Sequence, residues 1–206
     1  TKSGETMIDP FAGIGTIVQE GVLLGYKMLG SDINPIAIAG AEKNLEWFRN
    51  RYKISPGKFH AETSDAREVS KLVENLKKIG AFKTISGVVT EGYLGPMYTK
   101  FPAQSDIDKN FKELEELYTA SFQDFLKFLS SGDKVVICLP AYKNRDQYTM
   151  FPSLDFITKL GYNNVDLIPS ILSDDMPFLK LTERKTAIYD RKDQIVAREI
   201  VIFEKI

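Results

Sequence analysis

One cysteine and one histidine occur among 206 residues. The lone thiol, Cys138, rules out an intrachain disulfide, and with His60 the only imidazole no Cys- or His-rich metal cluster can form. Metal catalysis is therefore not expected. Positive charge is not in surplus either. The 27 Lys and Arg stand against 28 Asp and Glu, a net charge of −1, which is not the balance of a free-standing polyanion-binding domain. No apolar run approaches the ~20 residues that span a bilayer, and no secretory signal pattern opens the chain. A reducing, cytoplasmic setting without a membrane is the resulting expectation. Repeats, low-complexity tracts and composition shifts are lacking, so residues 1–206 read as one domain. With 43% hydrophobic and 27% charged residues, that domain has the apolar content for a sizeable core.

The stretch Met7–Thr16 organises what is present. Thr6-Met7-Ile8 reads as a buried strand ended by Asp9, and a glycine-rich turn then opens a helix from Thr16 to about Leu24. Gly13 and Gly15 let the backbone turn tightly and remove the Cβ atoms that would hold a ligand away. The helix start offers unpaired N–H groups and a positive dipole end. A dinucleotide fingerprint has a third glycine or alanine where this chain has Val18, and Asp9 would repel a pyrophosphate. A nicotinamide-dependent oxidoreductase is thus disfavoured, and a cationic ligand suits the carboxylate better.

Further along, strands alternate with helices. Tyr26–Asp32 reads as a second strand ending in an acid, 19 residues after Gly13, near the ~20-residue offset at which doubly wound folds set a carboxylate on ribose hydroxyls. Pro35 starts a helix over Ile36–Trp47, and the basic run Arg49–Lys53 reads as its solvated end. Lys58–Glu62 is a weak third strand, followed by a third acid, Asp65. Val69–Ile79 is an amphipathic helix with Val69, Leu72, Val73, Leu76 and Ile79 on one stripe. Ile85–Val89 reads as the fourth strand, Met97–Ile107 as loop, and Asp108–Leu129 as a long helix. Lys134–Leu139 reads as the fifth strand, Leu154–Leu160 as a short helix and Val165–Ile168 as the sixth strand. Thr186–Tyr189 and Ile195–Phe203 follow as closing strands around the polar turn Asp190–Gln194. The fold class is α/β, a doubly wound and mostly parallel sheet with an antiparallel closing hairpin at its edge.

Asp9-Pro10-Phe11-Ala12-Gly13-Ile14-Gly15-Thr16 resembles motif I of the class I methyltransferases, in the form typical of nucleic-acid amino methyltransferases. Thr90-Glu91-Gly92-Tyr93-Leu94-Gly95-Pro96 stands in the place of motif IV. It resembles the Thr-Glu-Pro-Tyr-Leu-Gly-Pro variant found in some relatives of the THUMP-domain tRNA guanosine-N2 methyltransferases, with Gly92 where that variant has proline. The resemblance implies a Rossmann-like methyltransferase domain that binds S-adenosylmethionine. Asp9 and the turn of Ala12, Gly13, Gly15 and Thr16 would hold its methionine end. Asp32, with Ile33 beside it, would take the ribose, and Asp65 with the Ala66 amide the adenine edge. Asp65 equally suits a helix cap. Phe11 borders the adenosine or packs in the core.

In motif IV, Thr90 or Glu91 would face the target amine and Tyr93 would stack on the base. The bland alternative leaves Glu91 solvated and Tyr93 a loop anchor. Methyl transfer asks for positioning and electrostatics more than for further groups. A pyrimidine-C5 mechanism needs a cysteine nucleophile, and Cys138 reads as a core residue of a strand. His60 has no visible partner constellation. The expected activity is transfer to an exocyclic amine of RNA, guanine N2 of tRNA first. The alternatives are an adenine-N6 or ribosomal-RNA methyltransferase and, given Gly92, a non-catalytic cofactor-binding partner. Only eight residues precede Asp9 and the charge is near neutral, so the tRNA is expected to be gripped by a separate RNA-binding module.

Overall fold

The computed structural model describes residues 4–145, 147–168, 181–191 and 193–206. Five parallel strands form its centre: β1 (Thr6–Asp9), β2 (Lys27–Asp32), β3 (Phe59–Thr63), β4 (Gly87–Thr90) and β5 (Lys134–Asn144). β6 (Gln147–Thr149), β7 (Tyr162–Val165), β8 (Ala187–Tyr189) and β9 (Val196–Lys205) complete the sheet. The order is β3-β2-β1-β4-β5-β9-β7, with β6 on β5 and β8 on β9. The register stacks Ile8 beside Leu29 on one side and Val88 on the other, and Val88 beside Val135; all four are fully buried. Strands covered on both faces need such apolar runs.

The helices are α1 (Thr16–Leu23), α2 (Pro35–Tyr52), α3 (Val69–Lys78), α4 (Gln104–Phe125) and the short α5 (Asp155–Thr158). Alternate residues of β1 and β2 serve opposite faces. Met7 and Met28 pack with Val18, Val22, Leu45 and Phe48 of α1 and α2, whereas Ile8 and Leu29 join the larger core of α3 and α4. In α4, Ile107, Phe111, Leu114, Tyr118, Phe122 and Phe125 repeat at helical spacing, and all are buried. The Phe122 ring meets the rings of Phe125, Tyr162 and Phe203 at 5.2–5.4 Å between centroids.

Several boundaries differ from the sequence reading. α2 continues to Tyr52 because Phe48 is buried against the Phe59 ring while its neighbours face water. Ile79 is not on the buried stripe of α3: it stands beyond the helix end and is 77% exposed. α4 begins at Gln104, inside the expected loop, and ends at Phe125. The sixth strand is Tyr162–Val165, not Val165–Ile168.

β5 runs past Pro140 to Asn144. The Lys143 N–H bonds the carbonyl of Ile195, just before β9, at 2.9 Å, which turns odd-numbered N–H groups of β5 toward β9. Pro140 thus faces the side that β4 vacates after Thr90, where a missing N–H costs no ladder bond. β9 lies within the sheet, between β5 and β7, and its outer edge is shared by β7 and β8. Of the turn expected at Asp190–Gln194, Lys192 lies outside the described residues.

The Val18 that departs from the dinucleotide pattern has a structural partner. It is fully buried, and a Cβ built on Gly30 of β2 would come within 2.8 Å of Val18 Cγ2 and 3.2 Å of Ala12 Cβ. The close helix–strand approach is therefore obtained by a glycine in the strand. Gly30→Ala is expected to lower stability by ~1–3 kcal/mol through overpacking. Urea denaturation checks this, and adding Val18→Ala should make the double variant lose less than the sum of the single losses.

Candidate active site

The carboxyl ends of β1, β2 and β4, with the loop after β3, surround a cavity of about 340 Å³. Pro10 and Phe11 come from the turn after β1, and Asp32 and Ile33 from the end of β2. Asp65, Ala66 and Arg67 come from the loop after β3, Gly92 and Tyr93 from the loop after β4, and Leu117 from α4. In an open parallel sheet this is where ligands enter.

Asp32 lies in the wall with both oxygens oriented by backbone. Its Oδ2 accepts from the Gly13 N–H and its Oδ1 from the Asn34 N–H, each at 2.9 Å. A carboxylate has about four lone-pair positions, so each oxygen keeps capacity for a ligand. Asp65 lines the cavity and also caps a 3₁₀ turn, Ala66–Glu68, accepting from the Arg67 N–H at 2.9 Å. The Arg67 guanidinium grips the same carboxylate and holds its pKa below the ordinary range. Phe11 combines two roles: it lines the cavity and meets the Tyr118 ring edge-on, with centroids 6.1 Å apart.

The glycine turn differs from expectation. The Ala12 N–H goes to the Ser31 carbonyl and the Gly15 N–H to the Ala12 carbonyl, both at 2.8 Å, and the Gly13 N–H goes to Asp32. An N–H has one proton to give, so these amides fix the turn and do not face outward. The first N–H groups of α1, from Thr16 on, lack an acceptor within their helix.

Asp9 does not line the cavity. It is 1% exposed, and its Oδ1 accepts from the Phe11 N–H at 3.2 Å. The Thr90 side chain bonds it as well. Burial pushes the Asp9 pKa up to about 7. The bonds from Thr90 and Phe11 oppose the rise, while the charges of Asp32 and Glu91 add to it. Thr90 is 2% exposed and its Oγ1 also accepts the Gly92 N–H at 3.2 Å, so Thr90 links the two motifs and does not present itself to an amine.

Of the motif IV acid and aromatic, Tyr93 lies on the cavity wall, whereas Glu91 stands next to it in the loop and is not part of the lining. The Glu91 side chain is about half exposed, and Tyr93 is 52% exposed on the cavity wall. Gly92 has φ +74, a conformation closed to proline, whose ring fixes φ near −65°. A Cβ there would stand 2.7 Å from the Tyr118 hydroxyl. That hydroxyl, fully buried on α4, donates to the Tyr93 carbonyl at 2.5 Å. Two turns earlier on α4, the buried Asn110 donates to the Leu94 carbonyl at 3.3 Å and to the Tyr142 hydroxyl. The loop is thus anchored by α4 in place of a proline. Cys138 is half-buried in β5, and burial raises its thiol to about 11, which suits no nucleophile.

Sequence reasoning missed Asn110, Arg67 and Arg198, whose guanidinium bonds Glu91 across 107 residues of chain. A polar residue on the apolar stripe of α4 was the available signal for Asn110. Arg198 sits on an alternating strand with no signal of its own.

No family model matches the chain. The probable tRNA (guanine(10)-N2)-dimethyltransferase of Methanothermococcus thermolithotrophicus is 26% identical over 130 residues, 63% of this chain and 72% of that protein. Among solved structures, TrmN from Thermus thermophilus superposes with a TM-score of 0.58 at 14% identity, covering 99% of this chain. The chain spans 45% of the length of TrmN. The chain has the class I methyltransferase fold. Magnesium protoporphyrin IX methyltransferase (ChlM) from Synechocystis PCC 6803, solved with bound SAH, shares the fold with a TM-score of 0.59 at 10% identity, covering 99% of this chain and 75% of that one. Among the described residues of this methyltransferase fold, no cluster of His, Cys, Asp and Glu could hold a metal, and no helix is long and apolar enough to cross a membrane.

Asp9 carries a pH prediction. The native state keeps its proton up to about pH 7, whereas the unfolded carboxyl releases it near its ordinary 3.8. The native state therefore binds more protons between these values, and stability falls as pH rises through that window. The difference corresponds to at most roughly 4 kcal/mol, at 1.36 kcal/mol per pKa unit. Urea denaturation at pH 5 and pH 8 should show this slope in the wild type and a flatter one in Asp9→Asn.

Proposed function

We propose that this chain is the catalytic domain of an S-adenosylmethionine-dependent RNA methyltransferase acting on an exocyclic amine, guanine N2 of tRNA. One observation carries the reading: an acid and an exposed aromatic, Glu91 and Tyr93, stand in the loop that closes one side of the cavity holding Asp32 and Asp65. The named activity of the archaeal relative supports the choice of tRNA guanine.

The residues fit the cofactor. Phe11, Ala66 and Leu117 give the cavity apolar walls, and a Cβ at Gly13 would meet nothing within 4 Å, so the approach over the turn is open. Asp32 accepts the ribose hydroxyls with the lone pairs left free by Gly13 and Asn34. Asp65 and the Ala66 amide take the adenine edge. Ile33 flanks the sugar, and the start of α1 at Thr16 takes the methionine carboxylate. Asp9, Ala12, Gly13 and Gly15 act one step back, shaping the turn.

When bound, the cofactor supplies an electrophilic methyl group on a sulfonium. Glu91 accepts an N–H of the target amine, which orients the nitrogen and relieves its growing positive charge. Tyr93 stacks on the base. Thr90 braces both loops from below. Because a net charge of −1 neutralises few phosphates, a separate RNA-binding module supplies most of the affinity for tRNA.

A second reading, a non-catalytic cofactor-binding partner, draws on Gly92. The Tyr118 and Asn110 anchors weigh against it, since they hold the loop without the proline.

S-adenosylmethionine and S-adenosylhomocysteine should raise the melting temperature while NAD does not, and the reverse preference would remove the cofactor assignment. Asp32→Ala removes charge-assisted bonds worth ~1.5–3 kcal/mol each. Calorimetry should therefore show at least about a tenfold loss of cofactor affinity.

Tritiated methyl transfer to tRNA, followed by nucleoside analysis, tests the activity. Label in N2-methylguanosine supports the proposal. Label in N6-methyladenosine, or only in ribosomal RNA, would replace the target, and bound cofactor without transfer would favour the non-catalytic reading. Tyr93→Ala should lose stacking worth ~1–3 kcal/mol and with it transfer, at unchanged cofactor affinity.

A further inference from the structure

Glu91 is a long, half-exposed side chain on a loop, and by itself it would sample many rotamers. Arg198 of β9 removes that freedom. Its Nε lies 3.0 Å and a terminal nitrogen 2.8 Å from the same oxygen, Oε1. The other terminal nitrogen is held by Gln194 Oε1 at 2.7 Å and by the Val196 carbonyl at 3.4 Å. The Arg198 side chain is 18% exposed. The guanidinium is thus fixed by its own strand and neighbours, and it grips only one of the two carboxylate oxygens.

We propose that Arg198 is a positioning residue: by binding Oε1 of Glu91 it directs Oε2 toward the target amine. The role rests on the activity proposed above. It is not one of stability, because a partly exposed ion pair contributes little to folding. What the pair fixes is a direction. Misplacing a reacting partner by about 1 Å can cost on the order of 100-fold in rate, so the expected effect lies in turnover.

A double-mutant cycle tests this with the full chain under single-turnover methylation of tRNA. Arg198→Ala should lower the rate by ~10–100-fold, while the tRNA concentration dependence and cofactor affinity stay within about twofold. Arg198→Lys keeps the charge but not the forked grip, and it should recover part of the loss. Glu91→Gln combined with Arg198→Ala should be little slower than Glu91→Gln alone, because the arginine acts through that carboxylate.

Losses that multiply in the double variant would overturn the role while leaving the activity standing. A rise in the tRNA concentration needed, steepening with salt, would instead make Arg198 a phosphate contact and also overturn it. An inactive wild type with bound cofactor would overturn the activity together with this role. The side-chain Nε–H resonance of Arg198 gives a readout free of turnover. It should be slow to exchange in the wild type and fast in Glu91→Ala, and a signal indifferent to that change would show that the grip is absent.

Discussion

The carboxylate of Asp9, buried between the Phe11 amide and the Thr90 side chain, joins the two loops on which the site rests. β1 and β4 are parallel neighbours with Ile8 beside Val88, so their carboxyl ends finish at one level. Without a link there, the glycine turn and the loop carrying Glu91 and Tyr93 would be set only by their own strands. Thr90 receives the Gly92 N–H and bonds Asp9, which continues the link from one loop backbone into the other. Burying a polar group costs free energy unless it is bonded. The cost at Asp9 appears as its raised pKa, and its partners keep that cost from being larger.

α4 supplies the second constraint. Tyr118 and Asn110 lie on the face that Ile107, Phe111, Leu114 and Phe122 bury, so their polar ends are carried into the core and aimed at the loop carbonyls of Tyr93 and Leu94. Gly92 and Gly95 both have positive φ, and a side chain at either would strike these same groups, the Tyr118 hydroxyl at 92 and the Asn110 amide at 95. The loop sequence and the helix sequence are therefore one design. A proline would stiffen the loop from within, whereas here the stiffness comes from a helix already fixed by its apolar stripe.

The same division explains what was legible in the sequence. The central strands, the glycine turn and the acids Asp32 and Asp65 have local signals: apolar runs, glycines with open φ, and an acid at each strand end. The tail of α2 was hidden because Arg49–Tyr52 is polar apart from one ring, and the contacts that hold it helical are tertiary or aromatic: Phe48 over Phe59, the Arg49 guanidinium over the same ring, and Tyr52 against Phe48. Pro140 seemed to end β5, but the strand survives it because β4 stops one turn of the ladder earlier. Asp9 read as a ligand because sequence shows a strand-end acid without showing which way it is buried. The Glu91–Arg198 pair was invisible for a further reason. It joins a loop residue after β4 to a residue within β9, and the two meet only because β9 inserts between β5 and β7.

Charge decides which ligand such a site favours. Two of the acids are matched within the chain, Asp65 by Arg67 and Glu91 by Arg198. Among the described residues no ion pair serves Asp9 or Asp32, and the Asp32 charge already contributes to the rise in the Asp9 pKa. A pyrophosphate at the turn would add like charge, push Asp9 further toward its protonated form and bind against the field. A cation would act in the opposite sense, meeting the Asp32 carboxylate in the cavity wall and favouring ionised Asp9 behind it. What disfavours a pyrophosphate is therefore the Asp32 carboxylate, which no ion pair serves among the described residues, more than the missing third glycine, whose packing role Gly30 has taken over from the other side of the helix–strand contact.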